Sequence, residues 1–67
     1  MAYTVSLFNP ASGQFNIVAS VKARTGVEAA AKAAGRVYGS VVPEIKATVY
    51  LVGSPASVEY LVGGKES

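Results

Sequence analysis

The hydrophobic period of this chain changes twice, from two to about 3.6 and back to two, which leaves few architectures open to it. Residues 3–8 alternate, with Tyr3, Val5 and Leu7 on one face and Thr4, Ser6 and Phe8 on the other. Asn9-Pro10-Ala11-Ser12-Gly13 is a cluster of turn formers. Alternation resumes with Phe15, Ile17, Ala19, Val21 and Ala23 facing one way. Asn16, Val18, Ser20, Lys22 and Arg24 face the other. Two such runs joined by a short turn predict a β-hairpin.

At Thr25 the period switches. Thr25 suits an N-cap, and Glu28 stands three residues on, in the capping-box position. Val27, Ala30, Ala31, Ala34, Val37 and Tyr38 then fall on one face of a helix. Glu28 and Lys32 form an i,i+4 pair beside that face, and Gly39 suits the C′ position. After a connection over 39–44, Ile45, Ala47, Val49 and Leu51 alternate with Lys46, Thr48, Tyr50 and Val52. Gly53-Ser54-Pro55-Ala56 reads as a turn. Val58, Tyr60 and Val62 then alternate with Glu59 and Leu61.

The expected fold is therefore α+β: a small ββαββ domain, an antiparallel sheet with one helix packed on one face. Residues 1–62 are expected to form a single domain and 63–67 a flexible polar tail. The helix side of the sheet is expected to take Tyr3, Val5, Leu7, Phe15, Ile17, Val21, Val49, Leu51, Tyr60 and Val62. Pattern alone leaves open whether the second hairpin pairs within its own chain or in a partner's sheet.

Composition limits the chemistry. The chain has no His, Cys, Asp or Trp. Structural zinc draws on Cys and His, and calcium or magnesium sites draw on clustered carboxylates. The four carboxylate side chains, Glu28, Glu44, Glu59 and Glu66, are scattered and read as surface groups. Serine has no candidate base except lysine, and no motif joins the two. Gly63-Gly64-Lys65 misses the phosphate-loop spacing, since position 59 is Glu and Glu66 follows the lysine. No catalytic, metal or cofactor site is expected, and the protein is read as not an enzyme.

Two surface features remain. If the alternation holds throughout, the face away from the helix carries Phe8, Val18, Tyr50, Val52 and Leu61 among small polar residues. A one-layer sheet facing water should be mostly polar there, so this set is the expected interface. Lys22, Arg24 and Lys46, with Tyr50, form a second set that could meet nucleic acid through phosphates and stacking.

Size favours the first feature. Sixty-seven residues without a disulfide or metal give a marginal core, and association is the remaining staple. Charged residues make up 15% of the chain, against about 25% in typical domains. The expected function is a non-enzymatic structural or interaction protein. Its partner would be itself, in a homo-oligomer, or another assembly protein, as in a small accessory protein of a phage particle. The alternative is a small nucleic-acid-binding module using its sheet, with weak, mostly electrostatic affinity. The start of the chain has neither a basic n-region nor an unbroken apolar core, and no apolar run reaches membrane-spanning length. A cytoplasmic or virion setting is expected, with no membrane partner and no small-molecule substrate.

Overall fold

The computed structural model describes residues 1–64. The polar tail expected over 63–67 thus falls largely, at 65–67, outside the described residues. The elements are β1 (Ala2–Asn9), β2 (Gln14–Lys22), α1 (Gly26–Tyr38), β3 (Ile45–Leu51) and β4 (Ser57–Val62). The strands form one sheet in the order β2-β1-β3-β4, and each neighbouring pair is antiparallel. The second hairpin therefore pairs within its own chain, through β3 on β1. Strand β1 lies inside the sheet although it comes first in sequence, and α1 carries the chain over it from β2 to β3. This is the ββαββ arrangement that the two changes of period predict.

The helix begins and ends as its sequence requires. Thr25 Oγ1 accepts a hydrogen bond from the Glu28 amide at 3.2 Å. Glu28 Oε1 in turn accepts from the Arg24 amide at 3.2 Å, one residue before the cap itself. The first bond satisfies a donor that the first turn would leave unpaired, and the second ties the residue before the cap to the helix. At the other end Gly39 takes a positive φ of 80°, and its amide donates to the Gly35 carbonyl at 2.8 Å.

The helix contact face differs from the expected one. Ala29, Ala30, Ala33 and Ala34 are buried, while Val27, Ala31 and Val37 are exposed. The two valines had pulled the expected face towards themselves. The packing instead selects the smallest side chains, which let the helix axis approach the sheet closely. Gly26 carries this furthest: a Cβ there would stand 2.8 Å from the Tyr60 hydroxyl oxygen. The core beneath α1 is built on Leu7, Ile45, Val5 and Val21.

The second difference is a β-bulge in β2. Tyr3 pairs with Val21, but Val5 pairs with Val18, so Ala19 and Ser20 together oppose Thr4. One extra residue reverses the inward and outward sense of everything before it. Val18, expected on the outer face, pairs with Val5 and is 9% exposed on the helix side. Asn16 also turns inward, and its Nδ2 donates to the Tyr38 hydroxyl at 3.4 Å. Phe15 and Ile17, expected under the helix, pair with Phe8 and Ser6 and point outward.

Past β4 the chain turns back on the α1–β3 connection. The Gly64 amide donates to the Val42 carbonyl at 3.0 Å. Gly63, at φ 77°, sits so close that a Cβ would collide with the Pro43 carbonyl oxygen.

Candidate interaction surface

The outer face is defined by strand register. Its first cross-strand row is Phe15, Phe8, Lys46 and Leu61, reading from β2 to β4. The next is Ile17, Ser6, Thr48 and Glu59. A third places Tyr50 between Thr4 and Ser57. Phe8 and Phe15 form a cross-strand aromatic pair, with Ile17 diagonal to Phe8. The exposures of Phe15, Ile17 and Leu61 are 59%, 66% and 72%. Lys46 stands between Phe8 and Leu61, where its aliphatic stem can lie along apolar surface.

Four of the five residues expected at an interface, Phe8, Tyr50, Val52 and Leu61, are exposed. Phe8, Tyr50 and Leu61 are brought onto one face by the pairing, and Val52 lies just past the end of β3, where its amide donates to the Ala2 carbonyl. Val18 is not on this face. Phe15 and Ile17 were missed, because an unbroken alternation gives no direct sign of a bulge. The spacing of three between Val18 and Val21, two bulky β-branched residues, is the sign that was available.

The expected basic set is divided. Lys46 and Tyr50 share the outer face, with Lys46 in the row of Phe8 and Tyr50 in the row of Thr4. Lys22 pairs with Ala2 at the opposite end of the sheet, and Arg24 lies beyond the strand. The Lys22 side chain turns to the outer side of the strand, while its carbonyl meets the helix, through Lys32, which the sequence reading gave only as the partner of Glu28, beside Arg36, which it did not single out. Lys32 Nζ donates to the Lys22 carbonyl at 2.9 Å, and Arg36 Nη1 donates to the Ser20 carbonyl at 3.3 Å. Ser20, Val21, Lys22, Lys32 and Arg36 line an open groove of about 610 Å³ along the free edge of β2.

The described carboxylates do not converge. Glu28 is held at the helix start and stands 3.8 Å from Lys32 Nζ. Glu59 lies on the outer face of the edge strand and Glu44 before β3. Among the described residues no three His, Cys, Asp or Glu side chains group together. No helix among them is long and apolar enough to cross a membrane. No family model, curated protein or solved structure matches the chain.

Proposed function

We propose that the protein is a non-enzymatic interaction module whose outer sheet face packs against a second copy of itself. The observation that carries this reading is the exposure of Phe8, Phe15, Ile17, Tyr50 and Leu61 on the one sheet face that α1 does not cover. Apolar residues grouped on a surface favour a partner, because each side chain removed from water contributes about 25 cal/mol per Å². The scale is suitable for a second copy. The domain measures 34 × 21 × 16 Å, and its broad face is comparable with the roughly 800 Å² that each partner gives to a standard interface. A self-complementary apolar face also suits the two-fold symmetry of most homodimers.

The experiment is size-exclusion chromatography with light scattering, combined with melting curves over a range of concentrations. The wild type is expected to exceed the mass of one chain, with a Tm that rises with concentration. Ile17→Lys and Leu61→Lys are expected to release a folded monomer. Val49→Lys is expected to unfold the chain, since Val49 is buried under the helix and a lysine there has no partner. A wild type that stays monomeric at high concentration, with a constant Tm, would overturn the reading.

A further inference from the structure

We propose that the groove on the free edge of β2 binds the sugar-phosphate backbone of nucleic acid, without regard to sequence. Charge is segregated in this molecule. Lys32 and Arg36 bring their charged ends to the groove, while Lys22, in register with Ala2 and between the buried Val21 and Ala23, offers it a carbonyl and turns its side chain to the outer side of the strand; Arg24 lies just beyond the end of β2, and Glu28 is the acid among them. The other described side-chain charges, Glu44, Lys46 and Glu59, carry one negative charge between them. The positive field therefore belongs to the β2–α1 edge, on the flank of the helix.

The geometry suits a linear polyanion. Lys32 and Arg36 stand on successive turns of α1, about 5–6 Å apart at Cβ. Their carbonyl anchors, on Lys22 and Ser20, are two residues apart along β2, a rise of about 6–7 Å. The cations thus form a line parallel to the strand. Each long side chain is tethered by one hydrogen bond, so less rotamer freedom remains to be lost on binding. An ammonium has three donors and a guanidinium five, which leaves most of them for phosphate oxygens. Tethering also blunts a free sheet edge against unwanted pairing, but one donor from each side chain is enough for that.

A nucleic acid fits better than an anionic membrane. Peripheral membrane binding joins basic residues to apolar ones that enter the same bilayer surface. Here Phe8, Phe15 and Ile17 lie on the face of the sheet opposite α1, so a flat bilayer cannot meet both. The proposal does not depend on self-association, since the groove is complete in one chain.

The test is fluorescence anisotropy with labelled single-stranded and duplex oligonucleotides over a salt series. Two groove cations give a slope of log affinity against log salt of about −1.4 for single strands and about −1.8 for duplex. A tenfold rise in salt is then expected to weaken binding about 25- to 60-fold. Lys32→Gln and Arg36→Gln are each expected to halve the slope, and the double variant Lys32→Gln/Arg36→Gln to bring it close to zero. The charge-conserving pair Lys32→Arg/Arg36→Lys is expected to retain binding, with circular dichroism reporting the fold of each variant. Lys46→Gln, on the outer face, is expected to change nothing. The proposal fails if neither oligonucleotide binds at low salt. It fails equally if Lys46→Gln costs as much as Lys32→Gln/Arg36→Gln, or if vesicles containing phosphatidylserine bind more tightly than either oligonucleotide.

Discussion

Two glycines of similar backbone conformation place different demands on their surroundings. Gly13 closes the β1–β2 turn at φ 76°, where its amide donates to the Asn9 carbonyl at 2.7 Å. No atom lies within 4 Å of where its Cβ would be. Gly63 has almost the same φ, 77°, but its Cβ would meet the Val42–Pro43 backbone. An alanine at Gly13 pays only the left-handed backbone strain, about 1 kcal/mol. At Gly63 it pays the same strain and must also push the chain away from the α1–β3 connection. Gly63→Ala is therefore expected to lower the Tm clearly more than Gly13→Ala, whose own loss should be about 4–8 °C. Thermal melts of the two variants at one concentration make the comparison. Equal losses would mean that the contact with Pro43 contributes nothing.

The helix and the bulged strand show which information is local. The start of α1 was legible because capping is local chemistry: Thr25 and Glu28 bond within the first turn whatever packs above them. Its contact face was not, because the choice between Val27 and Ala29 depends on how near the sheet lies. The sheet selected alanine. The fold class and the outward positions of Phe8, Tyr50 and Leu61 could be read from β1, β3 and β4, which keep a strict period of two. In β2 the extra residue at Ala19–Ser20 exchanged Val18 for Phe15 and Ile17. Pairing register is a property of two strands, so the sequence of β2 alone could not set it. The basic groove was hidden for a related reason, since it joins two carbonyls of β2 to helix side chains 10 and 16 residues away. One weakness of the helix is exposed and correctable. Gly35 sits in its last turns with open space where a Cβ would go. Gly35→Ala is expected to stabilise the fold by about 0.5–1 kcal/mol, read as a rise in denaturation midpoint at unchanged m-value.

The whole molecule has two differently equipped surfaces: an apolar sheet face and, on the flank of the helix, a line of cations. The cations line the free edge of β2 and the apolar face lies opposite α1, so occupation of one leaves the other open. Its connectivity has a further consequence, which concerns time. Strand β1 is made first, yet one of its two edges is completed only when Tyr3 meets Leu51 and Phe8 meets Lys46. The first hairpin forms from near neighbours, whereas the β1–β3 ladder must close a loop that contains β2 and all of α1, the slower kind of step. Both hairpins close from near neighbours, and the sheet is continuous only through the β1–β3 ladder, whose opening is expected to be global. In native-state hydrogen exchange the interior β1 amides are expected to exchange last, at the free energy of complete unfolding, with those of the free edges of β2 and β4 exchanging sooner. Early exchange at Val5 or Leu7 would show instead that the first hairpin detaches as a unit.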